Sequence, residues 1–167
     1  MQVEANGIRI EVEDSGGSGP AVLLVMGLGM QLTAWPERLV DGLRQAGYRV
    51  IRHDNRDAGL SESFDHCGRP RMTSGLLRYN LRLRVPAPYG VADMAADALG
   101  VLDALGVARA HVVGASMGGM IAQRMAIAAP RRVPSLTSIM SSSGARGLPG
   151  PRPPVVRAML GRPRAGT

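Results

Sequence analysis

Ser116 is the residue of this chain whose neighbours prepare it for covalent chemistry. It stands in His111–Met120, HVVGASMGGM, between Gly114 and Gly118. The apolar run Ala110–Val113 reads as a buried strand, and helix-forming residues begin directly after the serine. A strand–turn–helix junction of this kind is a nucleophile elbow, with the serine on a strained backbone and its hydroxyl exposed. The glycines two residues before and after it remove side chains that would clash in so sharp a turn. The junction also aims the first N–H groups of the helix at the place where an oxyanion forms, which makes the Met117 N–H a donor candidate. In a chain with 22 glycines the pattern alone is weak, and the order of strand and helix around it carries the weight. The chemistry implied is attack on an acyl carbon, giving an acyl-enzyme on Ser116 that water then cleaves.

Such a site needs a second oxyanion donor and a base. The donor is expected from the loop Met26-Gly27-Leu28-Gly29-Met30, which follows another buried strand, and the Leu28 N–H is the candidate. The three histidines, His53, His66 and His111, all precede Ser116, whereas the base of such sites comes later in the chain. His53 and Asp54 are adjacent and point to opposite faces of a strand, so they do not make a rearranged acid–base pair. Asp54 and Asp57 suit turn-stabilising hydrogen bonds, and His111, opening a strand, is expected to be structural. The single cysteine, Cys67, forms no internal disulfide, and metal-ligand spacing is absent. No metal and no cofactor are expected.

The elements that position these residues follow from pattern. Residues 2–13 alternate around Asn6-Gly7, as a hairpin does. Ala21–Met26 and Tyr48–Ile51 are apolar runs typical of strands buried on both faces. Trp35–Ala46 reads as a helix stopped by Gly47. Val91–Leu105 repeats apolar residues at three- and four-residue steps and closes at Gly106, with Asp93 and Asp97 placed to favour the helix dipole. Met117–Ala129 is a helix stopped by Pro130, and Ser135–Met140 is a further strand. Within the irregular stretch 64–90, a short helix is expected around Ser74–Leu83. Strands alternating with helices imply an α/β fold, a doubly wound and mostly parallel sheet with helices on both faces.

The net charge of +7 comes from twenty arginines and no lysine. Five of these arginines lie in Gly144–Thr167, which holds no acid; the remainder is nearly balanced, fifteen bases against thirteen acids. Neither the tail nor the cluster Arg69, Arg71, Arg78, Arg82 and Arg84 carries interleaved aromatics or a nucleic-acid-binding motif, so no nucleic-acid partner is expected. No apolar run approaches the ~20 residues that cross a bilayer, and the N-terminus lacks the pattern of a secretory signal. A cytoplasmic protein without a membrane partner is expected; composition leaves oligomeric state open. Residues 145–167 form an Arg/Pro/Gly-rich tail or the start of a lid, with an apolar island at Val155–Leu160.

Three blocks, VMGLG, HDNRDAGLS and VGASMGG, resemble in their order the α/β-hydrolase superfamily, and in flavour its bacterial esterase and methylesterase group. Asp54, Arg56, Gly59 and Ser61 match the D-x-R-x-x-G-x-S turn of that family. Residues 91–106 resemble the helix that precedes its nucleophile strand. The resemblance covers about residues 2–144 and departs from many members at Met26-Gly27, where they carry His-Gly, and at Gly90, where they carry Thr. It implies a serine hydrolase acting on a small-molecule carboxylic ester, truncated after about the sixth strand. The family places its acid after the sixth or seventh strand and its histidine after the eighth. The expectation is therefore an N-terminal piece of a longer hydrolase, or a truncated gene product, whose last strand is an exposed edge. Two other readings stay open: a catalytically incomplete fragment, and a proline iminopeptidase-like amide hydrolase.

Overall fold

The computed structural model describes residues 1–68, 74, 75, 77, 78, 81–145, 148, 152, 154 and 155. Strands Gln2–Ala5 (β1) and Ile8–Asp14 (β2) pair antiparallel through Asn6-Gly7. Both turn residues have positive φ, 53° and 75°, the requirement of a tight hairpin whose twist matches its strands. Ala21–Val25 (β3) is buried along its whole length. Helix Glu37–Gln45 (α1) leads to Arg49–His53 (β4), and helix Val91–Ala104 (α2) leads to Ala110–Ala115 (β5). Helix Met117–Ala128 (α3) and strand Leu136–Ile139 (β6) follow, and short 3-10 helices lie at Leu32–Ala34 and Asp65–Cys67.

The strands form one sheet in the order β1-β2-β4-β3-β5-β6. β4, β3, β5 and β6 run parallel, and β2 joins them antiparallel to β4. Alternation along the strands divides the core in two. Leu23, Val25, Ile51 and Val112 pack under α2 and α3, against Ala98, Val101, Leu102, Ile121 and Met125. Val22, Leu24 and Val50 face the other way, against Trp35 and Val40. The chain leaves β3 for β4 on one side and later returns to β5 on the other. The carboxyl ends of β3 and β5 thus flank a topological switch point, where open α/β sheets hold their ligands. Ser116 follows β5 there and the loop from Met26 follows β3, so the fold places the two sequence blocks side by side.

Tertiary contacts move some boundaries. β4 continues two residues past the expected Ile51, because His53 pairs with Val12 on one side and Val25 on the other. α1 starts at Glu37 after the Pro36 cap, and Trp35, expected in the helix, is buried beneath it. β6 is exposed at all four residues, including Leu136 and Ile139, and the following Met140 and Ile127 of α3 are exposed as well. Among the described residues nothing pairs with its outer edge. Of the short helix expected over Ser74–Leu83, residues 74, 75, 77 and 78 are helical and 81 and 82 form a turn, while 76, 79 and 80 lie outside the described residues, as does the island Val155–Leu160 except for Val155.

Candidate active site

Ser116 caps α3 with φ 54° and ψ −120°, a conformation rarely adopted by a residue with a side chain. Surrounding bonds over-determine it. Its N–H donates to the Ile139 carbonyl at 2.9 Å, and its own carbonyl accepts the Gly119 N–H at 3.0 Å. The side chain is exposed. Each neighbouring glycine has a steric reason. A Cβ on Gly114 would lie 2.2 Å from the Gly118 carbonyl oxygen, and one on Gly118 would lie 2.1 Å from that of Val25. Gly119, which the sequence reading passed over, is also constrained, though by side chains and not backbone, since its Cβ would meet the Ser141 Cβ at 2.5 Å. The doubled glycine in MGGM was the available signal.

The loop after β3 meets Ser116 directly. A Cβ on Gly27 would be 3.2 Å from the Ser116 Cβ and 3.7 Å from its Oγ. The Gly27 carbonyl accepts the Met30 N–H at 3.3 Å, closing a turn with Gly29 at φ 66°. Because the Gly27–Leu28 peptide is trans, its N–H points opposite to that carbonyl, out of the turn. Neither the Leu28 nor the Met117 N–H is hydrogen-bonded among the described residues. The two amides belong to the residue after Gly27, whose would-be Cβ meets Ser116, and to the residue after Ser116 itself.

The turn after β4 supports this loop. The Asn55 side-chain amide donates to the Met26 carbonyl at 2.9 Å, and Asp54 Oδ1 accepts the Leu32 N–H at 2.6 Å. Asp54 Oδ2 accepts the Leu60 N–H, and Ser61 Oγ donates to the Asp54 carbonyl. Gly59 leaves room for the carboxylate, which a Cβ there would strike. Asp57 accepts the Phe64 N–H and the Tyr89 hydroxyl. Arg56 turns inward and pairs with Asp97 through two bonds of 2.6 Å. Asp97 is therefore a buried ion-pair partner, where the sequence reading placed it as a contributor to the helix dipole. The contact joins residues 41 positions apart, which local pattern does not reveal.

None of the histidines is hydrogen-bonded to Ser116 among the described residues. His111 Nδ1 meets Ser135 Oγ at 2.7 Å, and its ring lies edge-on to Tyr48. The exposed His66 lies with its ring tilted against that of the half-buried Phe64. His53 is 1% exposed, and neither ring nitrogen has a hydrogen-bond partner. Burial, opposed by the Asp97 and Asp54 carboxylates and by Asn55, lowers its pKa from 6.5 to about 4. His53 is thus neutral in the fold and, unlike a general base, has no outlet for a proton. In acid the unfolded chain binds a proton at His53 that the folded chain refuses until about pH 4. Stability conferred above pH 6.5 is therefore lost as pH falls towards 4, by about 3 kcal/mol in all. Urea unfolding across this window should show His53→Leu losing less stability than the wild type by most of that amount; parallel curves would refute the assignment. Cys67 is exposed and free. No cluster of three or more His, Cys, Asp or Glu able to hold a metal occurs among the described residues, and no helix among them is long and apolar enough to cross a membrane.

Comparison with known proteins agrees with this geometry. Residues 20–158 match the family model described as alpha/beta hydrolase fold. The chain is 38% identical over 122 residues to rhodomycin D methylesterase DauP of Streptomyces sp. (strain C5), covering 73% of this chain and 35% of that protein. It is 36% identical over 139 residues to a 2-hydroxy-6-oxononadienedioate/2-hydroxy-6-oxononatrienedioate hydrolase of Burkholderia vietnamiensis, covering 82% and 41%. Among solved structures it is similar to the enol-lactonase from Burkholderia xenovorans LB400, with TM-score 0.63, 27% identity, and coverage of 81% and 45%. The chain thus spans between a third and a half of the length of these relatives. With its sheet order and its strand–serine–helix junction, it belongs to the α/β-hydrolase family.

Proposed function

We propose that this chain carries the nucleophile half of a serine hydrolase site that cleaves small-molecule carboxylic esters. The observation that carries the reading is the left-handed Ser116, exposed at the end of β5 and packed against Gly27. In this reading Ser116 Oγ attacks the ester carbonyl carbon and the oxygen takes up negative charge. The N–H groups of Leu28 and Met117 stabilise that charge, the alcohol leaves, and water releases the acid from the acyl-serine. Ester chemistry is favoured by the likeness to a protein named as a methylesterase. No general base or orienting acid is assigned within the described residues, among which no histidine is hydrogen-bonded to Ser116.

A specific observation favours a second reading, of a fragment that does not turn over by itself: β6 is an open edge with exposed apolar residues. Fluorophosphonate labelling followed by intact-mass and peptide analysis separates the two. Elbow and oxyanion donors alone retain about 10³–10⁴-fold reactivity over water in sites stripped of their base. The expected result is one adduct on Ser116, ahead of the other ten serines, and none on Ser116→Ala. An adduct elsewhere would overturn the assignment, and no adduct at all would leave the incomplete fragment as the answer.

A further inference from the structure

The oxyanion loop has little stiffness of its own. Gly27-Leu28-Gly29 holds two glycines, the residue with most backbone freedom to lose, and the turn bond from Met30 is long at 3.3 Å. A flip of the Gly27–Leu28 peptide would break that bond and reverse the direction of the Leu28 N–H. Two consecutive side chains from the turn after β4 restrain both ends of this loop from below. Asn55 holds the Met26 carbonyl at the entrance and Asp54 holds the Leu32 N–H at the exit, and both bonds are buried. Their anchor is rigid in turn. Asp54 is fixed by Leu60, Gly59 and Ser61, and Arg56 locks the same turn onto α2 through Asp97.

We infer that Asn55 and Asp54 are positioning residues for the oxyanion hole, clamping the Met26–Leu32 loop so that the Leu28 N–H stays aimed at the oxygen developing on the Ser116 adduct. The inference rests on the serine-hydrolase reading for its catalytic meaning, and on hydrogen bonds independent of that reading for the clamp itself. The side-chain chemistry is specific. At position 55 a donor is needed towards a carbonyl, so Asp, of the same shape, presents an acceptor to an acceptor. At position 54 two acceptors are needed towards two N–H groups, so Asn satisfies only one.

The test combines hydrogen–deuterium exchange with fluorophosphonate kinetics on the full chain, comparing wild type with Asn55→Ala, Asn55→Asp and Asp54→Asn. In both Asn55 variants, exchange across 26–32 should accelerate about tenfold or more, while β3 and β5 keep their protection. The maximal labelling rate of Ser116 should fall about tenfold or more, with the half-saturating probe concentration unchanged, as expected when a transition-state donor is misaimed and the binding surface is intact. Asp54→Asn should free either the Leu32 or the Leu60 amide. Unchanged exchange at 26–32 would overturn the clamp. Faster exchange with an unchanged maximal labelling rate would overturn its role at the oxyanion. If the Asn55 variants lose protection throughout β3 and β5, the milder Asp54→Asn decides, and protection retained at both of its amides would overturn the clamp. Absence of labelling in the wild type would instead refute the hydrolase reading and the oxyanion role with it, while the exchange measurement still decides on the clamp.

Discussion

Asp97→Ala is expected to lower the unfolding free energy of this chain by about 3–5 kcal/mol, the cost of leaving a buried charge without its partner. Asp97 is 2% exposed and accepts three hydrogen bonds, two from Arg56 at 2.6 Å and one from Asn6 at 2.8 Å. The guanidinium it satisfies is also buried, lying 5.0 Å from the Phe64 ring centroid and 4.9 Å from that of Tyr89. Truncation at Asp97 strands that cation among aromatic rings, where water does not replace the carboxylate. The effect is large because one carboxylate ties together three separate segments: the β1–β2 turn through Asn6, the turn after β4 through Arg56, and α2. Urea unfolding measures it. The double variant Arg56→Met/Asp97→Leu should recover much of the loss, since removing both charges also removes their desolvation cost. A single-variant loss below about 1 kcal/mol, or a double variant no better than the single, would show that the pair does not act this way.

Gly118→Ala should abolish the reactive geometry at Ser116. The added methyl would sit 2.1 Å from the Val25 carbonyl oxygen and 2.8 Å from that of Met26. These are backbone atoms at the end of the central strand, which is paired on both sides and has nowhere to withdraw. The first turn of α3 must therefore lift from β3, carrying Ser116 and the Met117 N–H with it. A displacement near 1 Å at a reacting group costs about a hundredfold in rate, and overpacking costs about 1–3 kcal/mol in stability. Fluorophosphonate labelling and urea unfolding read the two effects. Gly42→Ala supplies the contrast. It lies in α1 with open space around its would-be Cβ, so it should gain about 0.5–1 kcal/mol from helix propensity and leave labelling unchanged. Equal labelling of Gly118→Ala and wild type would refute the steric account of the elbow.

Much of this architecture was legible from local pattern. Ala21–Met26 announced a buried strand because no position in it tolerates water on either face, and β3 is buried throughout. Asn6-Gly7 announced a hairpin because both residues accept positive φ. The spacing of Gly114, Ser116 and Gly118 marked a tight junction, and the structure supplies the atoms that each missing Cβ would strike. These features depend on residues within a few positions of one another, so chain chemistry alone specifies them. His53 and Asp54 do not pair: Asp54 turns to the Leu32 and Leu60 amides, and His53 is buried without a hydrogen-bond partner.

What remained hidden depends on contacts between distant segments. Asp97 reads as an ordinary acid near a helix start until the fold brings Arg56 to it across 41 residues. Asn55 is one polar residue in a polar turn until the order β4-β3-β5 sets that turn beneath the loop leaving β3. Arg52, just past the end of the strand expected at Ile51, is buried in β4, where Glu13 and Glu37 converge on it from β2 and α1. In each case a polar side chain is buried only because a partner arrives through tertiary pairing, and the desolvation cost makes such burial untenable without that partner. The sequence by itself specified the elements and the serine they present; only the packed sheet decided which side chains brace the loop facing it.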